Sequence, residues 1–499
     1  MFFLMVFALL SIRGRAEGSD RPYYTDIGQF NYAKFLMREG DYKAASKEFA
    51  RFIEGFPESP LMSEAQFGLS KAYFYAGLFR EAEEELSLYL SNFGDSPDAL
   101  EALALLGETE KKLKEKSIPV ITPRPGEPVR ALRAVQVMLF EGKDYTGVEE
   151  ELESLRNAGV DTVILRVFHN TGDRYYPFAR PGDRRGVYFK TSNSPVVDDI
   201  LAQVVPAAHR RGLKVFAWMT TRYADYGVEG DGALSCKGYD IARKTPAACK
   251  GLDLFNEDAV RRLEGIYSDL AEYDIDGVLF QDDLVLRHNE GFGPFMESEF
   301  RKDTGDNADP EGFYLRQGDG SVHYTQPFWK WASWKNRRLL KVAQRLRDAV
   351  RKKRPQAKFA INLMYESVTN PPYALAWLSQ NLDEAVKAGF DYYSIMAYHR
   401  QMEEELNKTP EEVREMIARM AGDAVKAIGE PGRVLIKLQT IDWRTGNALQ
   451  NSEVVSVIRQ VKGKDLSLAL VPYRGDFPFH ELGGTGAEGM ASIGINGAI

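Results

Sequence analysis

Two adjacent carboxylates, Asp282 and Asp283, close an apolar run that begins at Gly277 in a chain of 499 residues. Carboxylates this close repel when both are ionised, so one pKa is expected to rise. An acid that stays protonated near neutrality can give its proton to a departing oxygen, which is what cleavage of a glycosidic bond needs. The competing reading is a loop ion pair with Arg287 or a helix cap. Other residues that could meet a sugar recur at the ends of similar apolar runs: Glu141, His169, Trp218, Asn362, Tyr365, Tyr398, His399 and Trp443, with Glu290 just beyond the acid pair. Taken singly, each aromatic fits a core role as well as a stacking role, and His169 fits a cap as well as a contact.

The elements that must position these residues are legible as a strict alternation. Eight β-branched or apolar runs read as strands: 135–140, 162–168, 214–219, 277–281, 358–363, 392–397, 433–439 and 466–471. Helical periodicity fills the stretches between them, at 148–158, 196–211, 258–273, 328–353, 374–388, 411–428 and 451–461. The strands are apolar on both faces, as when helices cover a parallel sheet. Eight such units predict an α/β fold of the (β/α)8 TIM-barrel type, in which chemistry sits at the C-terminal strand ends. Long insertions after strands two, three and four would wall that face. No GxGxxG follows the first strand and no GxxxxGK[ST] occurs, so nucleotide binding is not indicated.

The N-terminal part repeats. Gly40, Ala45, Phe56 and Pro60 return as Gly77, Ala82, Phe93 and Pro97, each pair 37 positions apart. Apolar residues at helical spacing between these markers give helical hairpins like tetratricopeptide repeats, whose period is about 34. We place them at 24–117, a proline-rich linker at 118–130 and the barrel at 131–499. Repeats of this kind offer a surface for a protein partner or pack on a neighbouring domain.

Net charge is −8, which lacks the basic excess of a nucleic-acid binder. The six histidines form no ligand-spaced pair, and neither a metal nor another cofactor is expected. Cys236 and Cys249 fit a local disulfide and two free thiols equally well. Residues 1–18 look like a secretory signal with a short apolar core and no basic residue ahead of it. Ten apolar residues are too few to span a bilayer, which takes about 20, so no firm membrane anchor is expected and the periplasm or the exterior is.

The run Asp276-Gly-Val-Leu-Phe-Gln-Asp-Asp283-Leu-Val-Leu286 resembles the barrel motif of the C-terminal glycoside hydrolase domain of the PgaB family, which processes poly-β-1,6-N-acetylglucosamine, a biofilm exopolysaccharide. Gly212–Met219, Trp334-Lys335, Asn362 with Tyr365, and Met396-Ala397-Tyr398 add weaker matches, and the likeness spans 134–473. The resemblance implies an endo-acting hydrolase of partly de-N-acetylated chains. By analogy with chitinase-like barrels it also implies that Asp283 donates the proton while Asp282 orients the substrate. Two departures stand out. The family's deacetylase domain is replaced here by helical repeats. The acidic stretch after the pair reads Arg287-His-Asn-Glu290, with one acid kept. A non-catalytic polysaccharide-binding scaffold is the alternative expectation, and retaining, inverting and substrate-assisted routes all remain open.

Overall fold

The computed structural model describes residues 25–115, 129–316, 322–463 and 465–482. The signal-like residues 1–18, most of the proline-rich linker and the last part of the 131–499 barrel region lie outside the described residues.

Five helices open the chain: α1 (Asp26–Arg38), α2 (Tyr42–Gly55), α3 (Met62–Tyr75), α4 (Phe79–Phe93) and α5 (Ala99–Glu115). Side-chain caps start the first two, Thr25 accepting from the Gly28 N–H and Asp41 from the Ala44 N–H. Gly40 and Gly77 turn α1 into α2 and α3 into α4 at φ +76° and +73°, a left-handed backbone that an L side chain adopts only at a cost. That shared requirement explains the repeat spacing of these two glycines. Beyond the second repeat, residues 99–115 form the single helix α5.

The rest is a closed barrel of eight parallel strands: β1 (Arg133–Val137), β2 (Thr162–Arg166), β3 (Lys214–Met219), β4 (Gly277–Phe280), β5 (Lys358–Met364), β6 (Tyr392–Met396), β7 (Val434–Gln439) and β8 (Ser467–Val471). Each strand pairs with its sequence neighbour, and β1 closes on β8 with Val135 opposite Leu470. Seven intervening helices cover the outside: α6 (Tyr145–Asn157), α7 (Leu201–Arg210), α8 (Glu257–Leu270), α9 (Gln326–Arg351), α10 (Leu382–Ala388), α11 (Pro410–Ile428) and α12 (Asn451–Val461). Side-chain caps mark the starts of five of them, from Asp144, Asn256, Thr325, Asn381 and Thr409, with a full capping box at Thr409 and Glu412. The stretch expected as one helix over 374–388 is broken. Pro371–Leu378 ends at Ser379, whose φ is +50°, and Asn381 caps α10 afresh. Periodicity alone runs through such a break because the apolar spacing on either side stays in phase.

The helical array is not an appendage. Phe30, Tyr32 and Phe35 of α1 share one apolar core with the barrel helices. The Tyr32 ring lies 5.1 Å from that of Trp329 on α9. Arg51 donates to the Val368 carbonyl at 2.7 Å, and Lys47–Asp383 and Lys387–Asp41 pair at the rim at 2.9 and 2.8 Å. The two rim pairs are partly exposed and contribute little; burial of the aromatic face carries the contact.

Candidate active site

A narrow cavity opens among the C-terminal ends of the barrel strands. It is lined by Gln136 and Met138 from β1 and beyond, Arg166, Phe168 and Asp173 from β2 and its loop, Trp218 from β3, Gln281 and Asp282 after β4, Tyr398 after β6, Lys437 and Trp443 from β7 and its loop, and Val471 from β8.

Asp276 and Gly277 explain how the acid pair is placed. Asp276 Oδ2 accepts from the Val215 N–H at 2.7 Å and pairs with His209 Nε2 at 2.9 Å, which anchors the start of β4 to β3. A Cβ on Gly277 would sit 2.6 Å from the Lys358 carbonyl, so only glycine lets β4 lie this close to β5.

Beyond β4 the two acids part. Asp282 is partly exposed and lines the cavity. Burial raises its pKa to about 6; the Lys437 ammonium opposes the rise and the neighbouring Asp283 adds to it. Lys437 is itself buried in mid-strand, which lowers its pKa to about 8 against the pull of Asp282. Its Nζ donates to Asn362 Oδ1 at 3.3 Å.

Asp283 is fully buried and does not line the cavity. Its oxygens accept from the hydroxyls of Thr220 (2.6 Å) and Thr221 (2.7 Å) and from the backbone N–H groups of Thr221 (2.9 Å) and Tyr223 (2.8 Å). A carboxylate so filled ties the loop after β3 to the end of β4 and has no lone pair to offer a substrate. The role of proton donor implied for Asp283 by the resemblance does not fit this geometry, and neither does the Arg287 ion pair of the competing reading.

The remaining expected residues divide. Trp218, Tyr398 and Trp443 line the cavity with Asp282; Trp218 Nε1 donates to Gln281 Oε1, and the Tyr398 and Trp443 rings lie 5.5 Å apart. Asn362 joins them through Lys437. Five do not line it. Glu141 is exposed and accepts from the Gly475 N–H at 3.3 Å, because β1 ends four residues earlier, at Val137. His169 stacks on Tyr175 at 4.0 Å and bonds the Tyr188 hydroxyl at 2.9 Å; burial and then Arg166 push its pKa down to about 4. Glu290 pairs with buried Arg222 at 2.9 Å; burial opposes its ionisation, but Arg222 and the Arg287 N–H hold the carboxyl below its usual range. Tyr365 donates to Glu405 at 2.8 Å. His399 pairs with Glu453 at 2.8 Å.

Lys437, Arg166, Gln136, Gln281 and Asp173 line the cavity without having been singled out as site residues. The signal was present: Lys437, Arg166 and Gln136 are polar residues inside otherwise apolar strands. Among buried side-chain atoms without a hydrogen-bond partner are Gln136 Oε1, Arg166 Nε, Asn362 Nδ2 and Trp443 Nε1, all in or beside this cavity. Buried polar atoms are nearly always paired, so their concentration here points to a polar ligand. Trp443 also walls an open groove of about 890 Å³ on the rim, lined by Glu403, Glu404, Glu405, Asp442, Arg400 and Arg444. Among the described residues no group of three or more His, Cys, Asp or Glu side chains is placed to hold a metal ion.

The loops behind the acids are cross-braced. Cys236 and Cys249, left open by the sequence, form a disulfide across the hairpin that follows β3. That hairpin bonds the loop after β4, Tyr239 N–H to the Asn289 carbonyl at 2.9 Å and Gly291 N–H to the Lys237 carbonyl at 2.8 Å.

Comparison with known proteins agrees with the fold. A solved structure of the PgaB (BpsB) glycoside hydrolase domain from Bordetella bronchiseptica is 22% identical, with a TM-score of 0.55, over 68% of this chain and 94% of that one. The catalytic domain of a β-amylase from Paenibacillus polymyxa is 11% identical, with a TM-score of 0.47, over 72% and 96%. No curated protein matches the sequence. Residues 25–140 match the outer membrane lipoprotein family YfiO. Residues 145–467, well over half of the chain, match the hypothetical glycosyl hydrolase family 13, and the chain belongs to that family.

Proposed function

We propose that this protein is an extracytoplasmic glycoside hydrolase that cuts within an amino-sugar exopolysaccharide, partly de-N-acetylated poly-β-1,6-N-acetylglucosamine or a close relative, with Asp282 as the proton donor. The observation that carries the reading is Asp282 itself: a carboxyl raised to about 6, at the end of β4, facing a cavity walled by Trp218, Tyr398 and Trp443. In this reading Asp282 protonates the glycosidic oxygen as the C–O bond breaks, and Lys437 keeps its pKa from rising further. Asp173, the other carboxyl lining the cavity, stabilises the positive charge that develops on the sugar ring. Asp283 is a positioning residue. The open groove beside Trp443 gives a polymer room to pass, and its four acids against two arginines suit a chain with free amino groups. The substrate class rests on the resemblance of the 276–286 run to the PgaB family. The disulfide favours an oxidising compartment, in keeping with the signal-like start.

The competing reading is a polysaccharide-binding scaffold without catalysis, and the observation in its favour is that Asp283 is wholly engaged in structure. Reducing-end release from a panel of acetylated and partly deacetylated polymers tests both. New ends from the partly deacetylated polymer, lost in Asp282→Asn, support the hydrolase; binding with no new ends supports the scaffold. Product anomer analysis by NMR then separates retention from inversion.

A further inference from the structure

The rim groove beside Trp443 lies between the helix His399–Leu406, which follows β6, and the loop after β7. The eight strands close in sequence order, so the point of the ring opposite the groove lies between β2 and β3. The loop after β2 stands there. It is tied to the loop after β3 by the Tyr226 hydroxyl, which donates to Asn170 Oδ1 at 2.6 Å, and by the Arg185–Asp225 pair at 2.8 Å. Both loops belong to the C-terminal face, so a polymer that leaves the groove and crosses the cavity reaches them next.

Tyr175 carries an open aromatic ring on that loop. The ring lies flat on the His169 imidazole, with 4.0 Å between centroids and 9° between planes, and the residue is 38% exposed. The stack is fixed from beneath and at its edge. His169 is buried and bonds the Tyr188 hydroxyl at 2.9 Å, while Tyr175 donates its own hydroxyl to the Arg184 carbonyl at 3.3 Å. Asp173, two residues before Tyr175, pairs with buried Arg166 at 3.4 Å and lines the cavity. The ring therefore begins where the cavity wall ends. A tyrosine held in this way offers a broad amphipathic surface with little side-chain freedom left to lose on binding. The axial C–H bonds of a gluco-configured pyranose pack flat on such a ring, while its hydroxyls stay in water.

We propose that Tyr175, backed by His169, is a second sugar-binding subsite, which stacks a pyranose unit of the polymer across the cavity from the Trp443 groove. The proposal rests on the polysaccharide reading given above. It adds that the bound chain crosses the whole mouth of the barrel, from the groove past Asp282 to Tyr175, so that scission falls inside a chain held on both sides.

Calorimetric titration with long oligomers of partly de-N-acetylated poly-β-1,6-N-acetylglucosamine tests this, in the full chain carrying Asp282→Asn to prevent turnover. Tyr175→Leu still covers His169 with an apolar side chain but has no flat face, and it should weaken binding by about tenfold. Tyr175→Trp keeps the flat face and should keep the affinity. Unchanged affinity in Tyr175→Leu overturns the proposal. So does a Tyr175→Trp that binds no better than Tyr175→Leu, or an unaltered Tyr175 chain that binds no long oligomer. Reducing-end release by the chain with Asp282 intact reads the hydrolase separately. Ring-dependent binding without new ends sinks the hydrolase and keeps the subsite, and new ends with ring-independent binding do the reverse.

Discussion

Thr221 gives both its backbone N–H and its hydroxyl to Asp283, at 2.9 and 2.7 Å, so the second acid of the pair serves as a strut between the loop after β3 and the end of β4. Asp282, one residue earlier, is left to face the cavity. Neighbouring side chains of one type, at a strand end where the chain begins to turn, have been given opposite tasks.

Substitution separates the two. Asp282→Asn should lower kcat by about 1000-fold or more, with the Tm unchanged or slightly raised, since it removes a carboxyl that burial disfavours. Asp283→Asn should instead place an amide NH2 against hydroxyl and backbone donors and cost about 2–4 kcal/mol of stability. Thermal unfolding beside single-turnover kinetics distinguishes the two. Full activity in Asp282→Asn would remove it from the mechanism.

The pH profile follows from the same cavity. Asp282 must hold its proton to donate it, so kcat/KM should fall on the alkaline side with an apparent pKa of about 6. Lys437 opposes the upward shift, so Lys437→Met should move that limb to higher pH. A limb that stays where it was would show that another group titrates.

Trp443 walls both the cavity and the rim groove. Trp443→Ala should raise KM for long oligosaccharides by about tenfold and leave kcat within a few-fold, because ring stacking holds bound sugar and transition state alike. A larger effect on kcat than on KM would move Trp443 to the reacting centre.

Cys236 and Cys249 close a loop of 13 residues in the hairpin that braces the β4 loop. Replacing both with serine should cost about 2–3 kcal/mol and lower activity through the loosened loop. Equal activity and Tm with and without a reducing agent would show that the brace is dispensable.

His169 and His288 are buried neutral, with pKa values lowered to about 4 and about 3, in both cases chiefly by burial. The unfolded chain takes up these protons first, near pH 6.5, so the stability they confer is complete above that value and is lost as pH falls toward 4. For His169 the loss is on the order of 3 kcal/mol. Urea unfolding at pH 7, 5.5 and 4 should show a shallower decline in His169→Phe, which keeps the stack on Tyr175 and removes the proton site.

The sequence by itself determined the eight-fold alternation and the type of sheet, because strands covered on both faces must be apolar throughout and helices must be apolar on one. It also brought out Asp282, Trp218, Tyr398 and Trp443, whose positions relative to apolar runs put them at strand ends. Tertiary structure decided the rest. Nothing in two consecutive aspartates says which of them meets Thr220 and Thr221, since that contact spans about 60 residues and depends on how the loop after β3 folds back. Lys437 enters the site because strand register sets its amine beside Asn362 and within reach of the charge on Asp282, a relation of three strands and not of spacing. Glu141, His169, Glu290, Tyr365 and His399 were drawn in by residue type near strand ends. They line other contacts because the chain beyond each strand turns under local hydrogen bonds that sequence periodicity does not carry.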